Sequence, residues 1–129
     1  MIVLDTSAAV DYLLAYEPAE WVEEQLRNAE RVHAPHLLDV EVVGGLRKQV
    51  QAGLVTARRA DAALSDFMDM RVRRYPHRPF LGRMWRLRHN LTAADAAFAA
   101  LAEALGMPLV TTDLRLAAAP GLRIEIRTP

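Results

Sequence analysis

LTAADAAFAALAEALGMPLVTTD, residues 91–113, holds a helix, a stop and a strand in one stretch. Thr92 is placed to cap a helix, and the alanine-rich run behind it has high helical propensity. Gly106 supplies the left-handed stop. MPLVTT then reads as a buried strand that ends on Asp113. A helix returning into a short apolar strand is the unit of a parallel sheet covered on both faces.

The chain starts with the same grammar. MIVLDTS, residues 1–7, predicts a buried strand over Ile2 to Leu4, with Thr6 or Ser7 capping a helix to about Tyr16. Pro18 suits a helix's first position, and the following residues carry acids early and Arg27 late, as the helix dipole favours. A strand over Arg31 to Ala34 closes at Pro35, and a helix over His36 to Gln51 stops before Gly53. Thr56 caps the next helix. Arg71 to Tyr75 alternates as a strand, and Phe80 to His89 is expected to be helical. After Asp113, LRLAAA predicts a short helix, and Leu122 to Ile126 a last strand. The expectation is one α/β domain spanning residues 1–129, with no internal repeat or linker.

Composition narrows the classes. The residues are 52% hydrophobic and 25% charged, as in an ordinary globular protein. There is no cysteine, which removes disulfides and thiolate metal sites and fits a reducing, cytoplasmic setting. Asp5 and Asp11 interrupt the only apolar stretch near the start, which also lacks a basic leader, so no signal peptide is expected. No run reaches the roughly 18 apolar residues of a membrane helix, so no membrane association is expected. Net charge is zero, which argues against generic attraction to nucleic acid.

The acids fall at informative places. In an open parallel sheet, sites form beyond the carboxyl ends of the strands. Asp5 and Asp113 lie at such ends, and Asp95 sits in the first turn of the helix capped by Thr92. Each has a plain alternative as a helix cap. Glu41 is harder to explain that way, because it stands among Val40, Val42 and Val43, where an unpaired carboxylate is costly to bury. Asp39 falls on nearly the opposite helix face and reads as solvated. Gly44 and Gly45 beside Glu41 point to close backbone approach. Four converging carboxylates cannot all stay ionised without a cation, and hard oxygen donors favour Mg2+, with Mn2+ as a substitute. Such an ion supports phosphodiester hydrolysis. His33, His36, His77 and His89 lack metal-binding spacing and read as surface or packing residues.

These residues give the chain its resemblance. LDTS at 4–7, Glu41 within DVEVVGGL, and residues 91–113 with the LRLA that follows make it similar to PIN domains, specifically VapC-type toxins. The resemblance implies a PIN-like three-layer α/β/α sandwich with a mostly parallel central sheet. It implies a magnesium-dependent endoribonuclease with Asp5, Glu41, Asp95 and Asp113 as its acids. Asp5, Asp95 and Asp113 would hold the metal, Glu41 would help position the attacking water, and Thr6 and Thr111 would supply the small hydroxyls. Relatives often carry hydroxyls where this chain has Ala94 and Phe98. The resemblance also implies a VapB-like antitoxin, which inserts a basic side chain into the acid pocket, and a homodimer. The apolar faces of the early helices are compatible with dimerisation.

Between Arg71 and His89 stand seven arginines and no acid, with Tyr75, Phe80 and Trp85 interleaved. That pattern suits phosphate pairing and base stacking on single-stranded RNA. Arg71, Arg73, Arg74, Arg78 and Arg86 are the candidate contacts, with Arg115 beside Asp113. The competing reading is a solvated helix face over core aromatics, and Trp85 in particular reads as core or dimer packing. Other functions fit less well. A haloacid-dehalogenase-like phosphohydrolase needs an acid where Ser7 stands, and a receiver domain needs a late lysine, whereas the only lysine is Lys48. A catalytically degenerate PIN domain used as a binding module is the non-enzymatic alternative.

Overall fold

Ile2–Leu4, the first strand (β1), is buried along its whole length. A strand covered on both faces belongs in the middle of a parallel sheet, and there it lies. The computed structural model describes residues Met1–Pro129. After β1 come α1 (Thr6–Leu13), α2 (Ala19–Asn28), β2 (Val32–Pro35), α3 (Leu37–Gln51) and α4 (Ala57–Asp69). Next are β3 (Val72–Tyr75), α5 (Leu81–Arg86), α6 (Ala93–Leu105), β4 (Leu109–Val110), α7 (Leu114–Ala117) and β5 (Ile126–Arg127). The strand order is β3-β2-β1-β4-β5, and every pairing is parallel. With seven helices over the sheet, this is the expected three-layer α/β/α sandwich.

One core cluster of 25 buried residues joins the layers. Helix α6 contributes most densely, with Ala96 to Ala102 buried without a break. Small side chains let a helix pack close, and Phe98, fully buried, fills the space that the alanines leave. A hydroxyl at that position would therefore need a buried partner in this chain.

Several element ends differ from the sequence expectation. α1 stops at Leu13 rather than near Tyr16, because Ala15 takes a left-handed φ of 55° that no residue type announced. The helix expected over Phe80 to His89 is shorter, with α5 flanked by 3-10 turns at Arg78–Phe80 and Leu87–His89. The last two strands have two residues each and sit at one side of the sheet. Thr56 and Thr92 cap as expected, each accepting an N–H from three residues on. Gly106 ends α6 at φ 64°. Of the paired glycines, Gly45 does meet a close neighbour, since a Cβ there would lie 3.0 Å from Val10 Cγ2. Gly44 meets nothing. No helix is long and apolar enough to cross a membrane.

Candidate active site

The chain leaves β1 toward β2 and β3 on one side, while β4 and β5 lie on the other. The strand order therefore reverses between β1 and β4, and a crevice opens beyond their carboxyl ends. Asp5 leaves β1 into this crevice, and its N–H donates to Val110 O at 2.9 Å. It is the N-cap of α1, accepting Ser7 N–H at 3.4 Å. Ser7 Oγ and Thr111 Oγ1 also donate to Asp5 Oδ2, at 2.6 and 2.8 Å. The two hydroxyls are 3.0 Å apart, but each has one proton, and both protons go to Asp5. Their lone pairs turn outward instead: Ser7 Oγ accepts Thr112 N–H, and Thr111 Oγ1 accepts Asp113 N–H.

All three bonds to Asp5 fall on Oδ2. Oδ1 takes none, although the residue is only 5% exposed. The sole buried side-chain polar atom without a partner is His33 Nε2, so Asp5 Oδ1 is open to solvent. One oxygen anchors the carboxylate, and the other is free to bind.

The remaining acids surround it. Thr6 Oγ1 donates to Glu41 Oε1 at 2.8 Å, tying α1 to α3. Asp95 and Asp113 line one crevice of about 170 Å3, with Asn90, Thr92 and Arg115 on its wall. Asp113 Oδ1 caps α7 by accepting Arg115 N–H at 2.9 Å, and the Arg115 guanidinium lies 3.6 Å from the same oxygen. Burial pushes the Glu41 carboxyl up; the Thr6 hydrogen bond opposes this, and the charges of Asp5 and Asp95 reinforce it. Burial likewise pushes Asp95 up; Thr92 opposes it, and Asp5 and Asp113 add to it. The four acids thus form one electrostatic unit. Capping does not take an acid away from the crevice, since Asp5 and Asp113 cap α1 and α7 and still stand at its edge.

No three acidic or histidine side chains stand at the spacing of a closed metal-ligand set. A tight all-protein cage is therefore absent, but the donors fit magnesium. That ion binds through one or two carboxylates, keeps several waters and leaves places for substrate phosphate. The free Asp5 Oδ1, surrounded by carboxyls that resist ionisation, is such a setting.

Sequence reasoning missed two members. Ser7 is the hub of the Asp5 network, and the DTS triplet with its three oxygen side chains was the available signal. Asp11, which accepts from Thr112 Oγ1 at 2.6 Å, gave none. Asp39 is not merely solvated, as expected, but binds Arg74 Nε through both oxygens at 2.8 Å. Arg74 is therefore paired with α3 rather than free. Trp85 is not core; it is 68% exposed, with the Arg88 guanidinium 4.3 Å from its ring centre. Arg83 pairs with Glu103, whereas Arg71, Arg73, Arg78 and Arg86 are exposed and make no ion pair. Arg115 alone of the arginine candidates borders the acid crevice.

A family model for the PIN domain matches residues 2–122. The chain belongs to the PIN domain family. VapC12, a ribonuclease of Mycobacterium tuberculosis, is 44% identical over 126 residues, covering 98% of this chain and 97% of its own. This PIN domain also superimposes on PAE2754 from Pyrobaculum aerophilum with a TM-score of 0.69 and 27% identity, over 97% of this chain and 81% of the other. VapBC-5 of Mycobacterium tuberculosis, a member of the VapBC family of toxin–antitoxin systems, matches with a TM-score of 0.62 and 26% identity. Coverage is 99% of this PIN domain and 98% of that chain.

Proposed function

We propose that this PIN domain is a magnesium-dependent endoribonuclease, the toxin of a toxin–antitoxin pair, which hydrolyses RNA phosphodiester bonds in the crevice beyond β1 and β4. The observation that carries this reading is the Asp5 carboxylate, anchored through Oδ2 by Ser7 and Thr111 with Oδ1 left free. Asp5, Asp95 and Asp113 would hold the ion. When bound, it supplies charge neutralisation at the phosphoryl oxygens and lowers the pKa of a coordinated water. Glu41, steered by Thr6, orients the attacking water. Attack of the water oxygen at phosphorus forms a new P–O bond as the ester P–O bond breaks; the water's proton passes to solvent, and the departing oxygen takes one from solvent. Ser7 and Thr111 keep the Asp5 carboxylate from rotating, and Arg115 stands at the crevice wall where a substrate phosphate would lie.

The partner is a cognate VapB-like antitoxin. A groove of about 260 Å3 between α3 and α4, lined by Val43, Leu46, Val50 and Leu64, is an apolar surface that such a partner would cover. A basic antitoxin side chain in the acid crevice would replace the cation's charge. A homodimer belongs to the same reading. Its interface is not built from Leu13 and Leu14, which the core consumes, so other apolar residues such as the exposed Leu81 and Trp85 would have to form it.

The test is RNA cleavage by the purified chain with Mg2+, with EDTA, and with Mg2+ restored. Cleavage that disappears and returns supports the reading. Cleavage that persists in EDTA rules out the metal, and none under any condition leaves the binding-module alternative.

A further inference from the structure

β2 and β3 begin at the end of the sheet opposite the acids. Their register pairs Val32 with Val72 and His33 with Arg73, so Arg31 stands beside Arg71 at the amino ends of the two strands. Side chains two apart share a face of a strand. Arg31, just before β2, and His33 on it thus run alongside Arg71, just before β3, and Arg73 and Tyr75 on it. Arg31, Arg71 and Arg73 line a groove of about 460 Å3 with Val32, Val72 and a single acid, Glu30. All three guanidiniums are exposed, and none takes part in an ion pair or a side-chain hydrogen bond. Within the same sheet edge, Arg74 is held by Asp39, so the free state of the other three is not for want of reach to acids in general. On a chain of zero net charge, three unpaired arginines around one groove are a local excess of positive charge.

The aromatic beside them is fixed. The Arg73 guanidinium lies 5.5 Å from the Tyr75 ring centre, and Tyr75 Oη is 2.8 Å from His33 Nδ1. The Cα atoms of Arg71 and Arg73 are about 7 Å apart along the strand, and that of Arg31 is about 5 Å from that of Arg71 across the pairing. The first spacing is close to one step between successive phosphates of an extended polynucleotide.

We propose that this groove is a second phosphate-binding site, which grips the backbone of the substrate RNA away from the bond that is cut. The proposal rests on the ribonuclease reading for the identity of its polyanion, but its geometry is independent of the acid crevice. The crevice lies at the carboxyl ends of β1 and β4, and the groove at the amino ends of β2 and β3. Two strand spacings and the length of β3 separate them by on the order of 20 Å. A dinucleotide cannot span that distance, whereas a strand of twenty nucleotides can. Length dependence is therefore the signature of this site, and backbone contact implies little sequence preference. A built-in reporter sits beside it. Burial holds the His33 imidazole below its ordinary pKa, and the charges of Arg73 and Arg31 add to that effect. A bound polyanion would cancel the second contribution.

The experiment compares the wild-type chain with R31A/R71A/R73A and R31K/R71K/R73K, binding a labelled twenty-nucleotide single-stranded RNA and a labelled dinucleotide in EDTA across a salt series. Single-strand contacts contribute a salt slope of about 0.7 each. The alanine variant is expected to bind the long RNA about tenfold more weakly, with a slope smaller by about 2, while the lysine variant retains the slope. Neither variant should change dinucleotide binding. On saturation with the long RNA, the His33 ring resonance should titrate at higher pH in the wild type and not in the alanine variant. An unchanged slope for the long RNA, or equal weakening for both lengths, overturns the proposal. Inorganic pyrophosphate that displaces the long RNA from the wild type at far lower concentration than RNA itself also overturns it, in favour of a small-anion site. If the wild type binds with these features yet cuts no RNA in Mg2+, the second site stands and the nuclease reading falls.

Discussion

Residues 5, 41, 95 and 113 are scattered along the chain and meet at one end of the sheet. The arginines from 71 to 88 are neighbours in sequence and disperse over the surface. Arg74 turns to Asp39 on α3, Arg83 to Glu103 on α6, Arg88 to Trp85, and Arg71 and Arg73 to the groove with Arg31. The cause is side-chain length. An aspartate has a short stem, so its position follows the backbone that carries it, and three of the four acids stand at strand ends or first helical turns. Arginine's long stem lets each guanidinium find its own partner within reach. Convergence of backbone ends is therefore a property of the fold, whereas a run of arginines is only a composition until each one is placed.

The strongest way to break this contrast is Asp5→Asn. Asparagine keeps one carbonyl oxygen for Ser7 and Thr111 and places an amide where the free oxygen was, so the fold should persist. The expected loss in cleavage rate is about 10² to 10³, the scale of removing one electrostatic contact to a reacting phosphate, with thermal unfolding near that of wild type. Cleavage at the wild-type rate in Mg2+ would mean that the acids are caps alone. Arg74→Ala, by contrast, removes a structural ion pair, and its RNA affinity should stay within twofold of wild type.

Arg83→Met probes the other region through stability. Arg83 bonds both oxygens of Glu103 at 2.6 and 2.9 Å, and Glu103 is largely shielded and also accepts Arg123 N–H. Leaving that carboxylate without its partner should cost about 1.5 kcal/mol, or about 5 °C in Tm, with RNA affinity unchanged. A smaller loss would place Arg83 among the solvated arginines. Arg78 and Arg86, exposed and unpaired, are the remaining candidates for RNA contact. R78A/R86A should weaken long-RNA binding about threefold and lower the salt slope by about 1.4; no change in slope would leave both as surface residues.

The same reasoning explains what could be read ahead of the structure. The parallel sheet and the positions of Asp5, Asp95 and Asp113 followed from strand and cap signals, because those signals act over a few residues. Glu41 was picked out as an acid among valines, although Val40 and Val43 prove exposed, only Val42 is buried, and its partner Thr6 lies on α1. The Asp39–Arg74 pair, Asp11 with Thr112, and the turn at Ala15 were not legible. Each depends on a contact between distant segments or on a backbone angle that the residue type does not favour. Trp85 was misplaced because its size argues for burial, whereas here its ring packs beneath an arginine at the surface.

The smallest expected effect separates the two regions by pH. Glu41 is raised above its ordinary value of 4.5, and Glu103 is lowered below the same value. A raised carboxyl stabilises the fold below its unfolded pKa, and that contribution is lost as pH rises through the folded one. Glu41→Gln keeps an oxygen to accept from Thr6 but cannot ionise, so at pH 7 it should raise Tm in EDTA by about 2 °C. The gain should shrink toward zero as pH falls to about 4.5. Glu103 has the opposite sign: its contribution is present above 4.5 and lost as pH falls through its lowered value, so the Arg83→Met penalty should fade only below that point. Added Mg2+ should stabilise the wild type more than the Glu41→Gln variant, because the ion relieves a repulsion that glutamine no longer supplies. If both variants lost their effects over the same pH range, Glu41 would not be under charge strain, and the acid crevice would be as solvated as the arginine surface.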